Sequence, residues 1–190
     1  MLFRSCHAIE SYWSVNSNDE SKEYSKKAVS GILENLDAYL ANDKKANREM
    51  MTAAHYAGKA INITQTTAGH AMCYKLTSLY NVAHGHAAAL VDTKLFPYMV
   101  AHTNDCVDPR GEDYLRKTFA EIASMLGCGS ADEACKKLQS IFDSLELIVP
   151  EAKEEDYNVL KTSVNPVRLK NNPVKLTEEN IEALYRTILK

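Results

Sequence analysis

Apolar positions recur along most of the chain at three- and four-residue spacing, the repeat that gathers them on one face of an α-helix. From Ser21 to Leu40, residues Ala28, Val29, Ile32, Leu33, Leu36 and Leu40 form such a face, while Lys22, Glu23, Lys26, Lys27 and Glu34 fill the other. Asn47 to Ile63, rich in Ala and Met, predicts a mostly buried helix, with Gly58 and Gly69 marking close neighbours. A more polar layer begins after Pro109. Tyr114, Leu115, Phe119, Ile122, Met125 and Leu126 line a helix that stops at Gly127, where a left-handed residue is tolerated. Ser130 with Glu133 predicts a capping box for the next helix, and Thr177 caps the last, Glu178 to Leu189. Ser17 and Asp19 read as helix-start residues, Trp13 and Tyr12 as core packing, and Met50, Met51 and Met72 as gap-fillers. Strand signals are nearly absent: only Leu147-Ile148-Val149 clusters like a strand, and Pro150 ends it. With no repeat or linker, residues 1–190 read as one all-α domain.

Composition narrows the function classes. The chain is 45% hydrophobic and 25% charged with a formal net charge of −3. Neither sign gathers in long runs, which leaves no electrostatic basis for nucleic acid or an anionic membrane as partner. The longest apolar stretches break within about a dozen residues, short of the roughly 20 that a membrane-spanning helix needs. His7, Glu10 and Ser11 follow the N-terminus where a signal peptide would have an apolar run. Five cysteines, an odd number without CxxC spacing, read as reduced thiols. The expected location is therefore cytoplasmic.

Three of the six histidines fall in Gly69-His70-Ala-Met-Cys-Tyr74-Lys75-Leu-Thr-Ser-Leu-Tyr-Asn81-Val-Ala-His84-Gly85-His86. Imidazole is a common ligand for zinc and iron(II). On one unbroken helix, however, His70 and His84 would lie about 21 Å apart along the axis. They can share an ion only if the chain turns back between them, and Thr77 to Ala83 holds weaker helix formers, with Asn81 as the breaker. His84 and His86, two residues apart, point to opposite helix faces. Spacing alone leaves both a metal site and ordinary hydrogen-bonded histidines open. His55 and His102 read as structural.

Several segments resemble the C-terminal domain of the iron-containing (group III) alcohol dehydrogenases: His7-Ala-Ile-Glu-Ser-Tyr-Trp13, Met51 to Gly58, Ala68-Gly-His-Ala-Met72, Ala83-His84-Gly85 and Asn171-Asn-Pro173. The resemblance implies a multi-helix, dehydroquinate synthase-like C-terminal domain without the N-terminal nucleotide-binding α/β domain. It also implies a metal, iron(II) or zinc, held by an aspartate, a histidine four residues later and two histidines fourteen apart. Carried over, the ligands are His7, His70 and His84. Phe3 stands where the aspartate would be, so the metal is expected to be weakly held. Glu10 is placed to hydrogen-bond His7, although a solvated carboxylate is the plainer reading.

In such enzymes NAD(P) is bound by the other domain, and this chain has seven glycines but no GxGxxG. NAD(P) is thus expected only if a nucleotide-binding domain is supplied elsewhere, and the chain by itself is expected to be inactive. The stretch from Ala68 to Tyr80 is similar to a subgroup associated with phosphonoacetaldehyde reduction. It implies Tyr74 as a hydrogen-bond donor and Lys75 as a point charge for substrate, against the plainer readings of a core aromatic and a surface lysine. Two functions follow: an alcohol dehydrogenase or aldehyde reductase fragment supplying the metal and part of the substrate pocket, or a non-catalytic, truncated helical module for interaction or structure. A separate nucleotide-binding chain or a second copy is the expected partner. A metal-dependent hydrolase ranks last, because no general base stands beside the histidines.

Overall fold

The computed structural model describes the backbone of residues 2–190 and the side chains of residues 4–190. Phe3 therefore has its side chain outside the described residues. Among the described residues ten α-helices follow one another: α1 (Leu2–Trp13), α2 (Asp19–Leu40), α3 (Lys44–Thr64), α4 (Ala68–Tyr80), α5 (His84–Ala101), α6 (Glu112–Met125), α7 (Ala131–Asp143), α8 (Glu154–Thr162), α9 (Pro166–Leu169) and α10 (Glu178–Ile188). A short 3-10 turn at Thr103–Asp105 joins α5 to α6.

Helix α1 runs through the middle of the domain, packed on α2, α3, α5 and α6. From Cys6 to Ser14 every residue is buried, the pattern of a helix enclosed on all sides. Its Trp13 stacks on Phe96 of α5 at 5.5 Å, and Phe96 meets Phe119 of α6 edge-on at 5.5 Å. Aromatic pairs at such separations add to the stabilisation that their burial already provides. Helices α2 and α3 form an antiparallel pair in which Gly31 brings the backbones together: a Cβ there would stand 3.0 Å from that of Ala53.

The predicted stops are in place. Asn81 adopts the left-handed conformation (φ 53°) and ends α4. Gly127 does the same after α6 (φ 69°). Thr177 caps α10 in a box closed by Asn180. Asp19 opens α2 as expected, with Asn18 before it as the cap, boxed with Ser21. Three expectations change. Ser130 caps α7, but Glu133 reaches the Gly129 N–H instead of closing the box. Met51 is 73% exposed, because it falls on the outer face of α3 while Met50 faces inward. Residues 147–149 form no strand; with no extended neighbour to pair with, that segment is loop, and Pro150 and Ala152 bond instead to the terminal Lys190. Among the described residues no helix is long and apolar enough to cross a membrane.

Candidate functional site

Three helices deliver the histidines. His7 lies midway along buried α1, His70 in the first turn of α4, and His84 at the first position of α5. The left-handed Asn81 folds α5 back on α4, which turns fourteen residues of sequence into side-by-side helix ends. The His7 and His70 rings stack at 4.6 Å, and His84 meets His70 edge-on at 5.4 Å. His86 points away and reaches the Ile148 carbonyl through Nε2 at 2.7 Å. Among the described residues no three His, Cys, Asp or Glu side chains converge as the donors of one ion would. The histidines meet as rings in contact.

Behind them sits Glu10, and here the expectation of a solvated carboxylate fails: its side chain is fully buried. One turn from His7, it turns to His70 instead. Its Oε2 accepts from the Thr67 N–H (2.8 Å), the Thr67 hydroxyl (2.7 Å) and the His70 N–H (3.4 Å), so a carboxylate from α1 caps the start of α4. Thr67 makes no side-chain cap of its own; its hydroxyl accepts from the Trp13 indole at 2.9 Å while donating to Glu10. Oε1 of Glu10 pairs with Nδ1 of His70. Burial would raise the Glu10 carboxyl, but His70 and the Thr67 hydrogen bonds outweigh it and hold it below the usual carboxylate range. An ionised Glu10 can only accept, so Nδ1 of His70 carries a proton and donates it to the carboxylate.

Burial, with the neighbouring His70, lowers His7 to about 3. The same two causes lower His84. Both imidazoles are therefore neutral at pH 7, the form that ligates metals. His84 Nδ1 also lies 3.3 Å from the Thr77 hydroxyl and 3.6 Å from the Cys73 thiol. Burial pushes that thiol far up, so Cys73 is a neutral neighbour at this pH.

A second carboxyl lies beneath the first. Asp92 of α5 is buried, and neither oxygen has a well-formed hydrogen bond among the described residues. The Cys6 thiol is a neighbouring donor that weakly favours its ionised form. Burial and the adjacent Glu10 push Asp92 well above its usual range, so it stays protonated. Both carboxyls crowd the hydrogen of Gly69: a Cβ there would overlap Asp92 Oδ1 and stand 2.7 Å from Glu10 Oε1.

At the mouth of the cluster, Tyr74 is 42% exposed, which excludes the core-aromatic reading, and its ring lies 5.0 Å from that of His84. Lys75 is half-buried and sits about 140° around α4 from His70. Arg168 of α9, a residue with no sequence motif to mark it, lies over the Tyr74 ring at 5.4 Å. On the far side of the α5 start, an apolar groove of about 440 Å³ runs between α2 and α7 past Ala83 and Gly85.

Comparison with known proteins gives this arrangement its context. The family model described as Fe-containing alcohol dehydrogenase family, C-terminal, matches residues 4–189. The phosphonoacetaldehyde reductase of Streptomyces viridochromogenes is 32% identical over 183 residues, covering 94% of this chain and 46% of that protein. The 1,3-propanediol dehydrogenase of Klebsiella pneumoniae is 28% identical over 195 residues, 95% of this chain and 47% of its own. A solved iron-containing alcohol dehydrogenase from Thermococcus thioreducens shares the fold with a TM-score of 0.84 at 22% identity, over 98% of this chain and 48% of that one. The chain thus spans about half the length of the curated relatives it matches, and it belongs to the iron-containing alcohol dehydrogenase family, whose C-terminal helical domain it comprises.

Proposed function

We propose that this chain supplies the metal-binding, carbonyl-activating half of an NAD(P)-dependent alcohol dehydrogenase or aldehyde reductase. The observation that carries the reading is the meeting of His7, His70 and His84, from three helices, over a buried carboxylate that sets the proton of His70. As a donor set the three imidazoles, two of them held neutral by burial, fit iron(II) or zinc. Their rings would have to swing out of the present stack to aim three nitrogens at one point.

A metal bound there would draw electron density from a substrate oxygen as a Lewis acid. The remaining work falls to this chain's own side chains. Glu10 keeps the Nδ1 proton of His70 in place and so presents Nε2 as the donor. Helix packing around α1 excludes water from the inner side of the cluster. Tyr74 offers a hydroxyl at the open side, where it can donate to a substrate oxygen, and Lys75 is a more peripheral charge. Hydride would come from a nicotinamide nucleotide seated on a separate nucleotide-binding domain or chain, because no phosphate-binding glycine cluster is present in these 190 residues.

Two observations favour the alternative, a non-catalytic helical module. Phe3 occupies the aspartate position and removes the anionic ligand, and the rings are stacked rather than convergent. Titrating the metal-free chain with zinc or cobalt(II) separates the two. The metal-site reading expects one equivalent bound, with a tetrahedral cobalt spectrum that His70→Ala abolishes. A chain that takes up no metal at millimolar concentration is a helical module instead.

A further inference from the structure

The position of Arg168 is fixed from several sides. It lies in the short helix α9, begun by Pro166 and capped by the Asn165 side chain, which accepts from the N–H groups of Val167 and Arg168. Just beyond, the Asn171 side-chain amide donates to the Thr66 carbonyl at 2.9 Å, and the Asn171 carbonyl accepts from the Val15 N–H at 3.1 Å. The guanidinium Nη1 donates to the hydroxyl of buried Thr66. One edge of the group is thereby clamped, and the plane is held over the face of Tyr74.

Its electrostatic setting differs from that of three other arginines. Arg110, Arg116 and Arg186 each pair with a carboxylate, Asp108, Glu112 and Glu154 respectively. Arg168, half-buried, has no carboxylate partner among the described residues. Its neighbour toward the cluster is the aromatic face of Tyr74, which carries no charge to balance it. Nη2 and Nε have no acceptor in the structure among the described residues. A clamped guanidinium with two parallel donors to spare, unbalanced and partly dry, is the geometry that accepts a planar pair of oxygens from a tetrahedral oxyanion. The Tyr74 ring lies beside both, 5.4 Å from the guanidinium and 5.0 Å from the His84 ring, so the guanidinium and the imidazole flank the same stretch of the mouth.

We propose that Arg168 is the anion anchor of the substrate site, and that the substrate is a short aldehyde or alcohol carrying a terminal phosphonate or sulfonate. The proposal rests on the reading of the histidine cluster as the carbonyl end of that site, and it assigns to Arg168 the role that the sequence suggested for Lys75. Specificity follows directly: a neutral alcohol of the same length leaves the guanidinium unpaired, so the anionic compound is preferred.

The test uses the full chain without metal, titrated with methylphosphonate and, separately, methanesulfonate, with 1-propanol as the neutral probe. Binding is followed by calorimetry and by the NMR signals of Tyr74 and the histidines. Expected is saturable binding of one or both anions with shifts at Tyr74 and His84 and none from 1-propanol. Arg168→Ala should weaken it at least tenfold, while Arg168→Lys, which keeps the charge but loses the fork, should weaken it about threefold. Exposed Arg48→Ala on α3 should leave it unchanged. The relative response to the two anions identifies the phosphonate or the sulfonate as the preferred group. Equal binding by wild type and both Arg168 variants, shifts confined to other residues, or no saturable binding of either anion overturns the proposal. Should Arg168→Ala fail to fold, the Arg168→Lys comparison decides. The metal titration above is scored separately: anion binding without metal uptake keeps Arg168 and removes the metal reading, and metal uptake without anion binding does the reverse.

Discussion

Glu10 and His70, sixty residues apart in sequence, face each other with neither side chain more than 1% exposed, and the carboxylate that holds the ring also caps the helix carrying it. Ring orientation and the start of α4 are thus one feature. Glu10→Gln keeps the shape but replaces a charged acceptor by an amide, leaving the Thr67 donors and the His70 proton with weaker partners. The expected loss is about 1–3 kcal/mol of folding stability, with at least a tenfold loss of zinc affinity. Urea denaturation and zinc titration measure the two. Unchanged zinc affinity in a folded Glu10→Gln protein would mean that the carboxylate supports the helix and does nothing for the ring.

Gly69 is required by what lies beside it, not by its backbone. Any side chain there must displace Asp92 or Glu10. Gly69→Ala is expected to cost about 1–3 kcal/mol, the range for overpacking a dense core. If Asp92 is the obstacle, the cost should fall by half or more in an Asp92→Ala background, a coupling that a double-mutant cycle reads directly. Additive costs would show that the crowding is absorbed elsewhere.

The buried acid Asp92 should make the protein less stable at neutral pH than it could be. Its folded-state carboxyl is raised, so above the unfolded value near 3.8 unfolding releases a proton, and stability declines as pH climbs toward the folded value. Asp92→Asn removes the titration and keeps nearly the same size and shape. The variant is expected to melt higher than wild type at pH 7, with the advantage shrinking as pH falls toward 4. Melting curves at both pH values check this; a constant difference would rule out proton linkage at Asp92.

How far the sequence led can be seen in particular residues. Helical periodicity, the stop at Gly127 and the left-handed Asn81 were legible because each is local: a repeat of 3.6, or a residue that tolerates positive φ. Asn81 made a turn between His70 and His84 possible, but only the family likeness named the two as a pair. The partner of Glu10 was not legible, because three-residue spacing offers His7 while the packing of α1 against the α3–α4 junction delivers His70. Arg168 carried no signal, since its place depends on a four-residue helix folded across the mouth of the site. Asp92 could have been suspected: one acid within the apolar run Ala87 to Phe96 sits where an ionised group has no water.

Restoring the missing acid tests the metal reading from the other side. Phe3 stands four residues before His7, and a carboxylate there would add fixed negative charge to a donor set made of imidazoles. Phe3→Asp is expected to tighten zinc or iron(II) binding at least tenfold, since an anionic ligand offsets part of the ion's charge. If calorimetry finds no gain while His70→Ala still abolishes binding, the three imidazoles suffice and the aspartate position is dispensable in this chain.

Acid should unfold the domain partly through His7. In the folded protein its imidazole takes a proton only near pH 3, against an ordinary value near 6.5, because it is buried against His70. Above pH 6.5 neither state is charged and the residue is silent. Between 6.5 and 3 the unfolded chain binds a proton that the folded chain refuses, so stability falls with falling pH by up to about 1.4 kcal/mol per unit. Below 3 the loss stops. His7→Asn, which cannot titrate, should lose less stability than wild type between pH 7 and 4.5, a difference visible in paired urea curves. The same protonation competes with metal, so zinc should protect wild type most at neutral pH and progressively less on acidification. Protection by zinc that stays constant down to pH 4.5 would mean that the ion is held by groups other than these imidazoles.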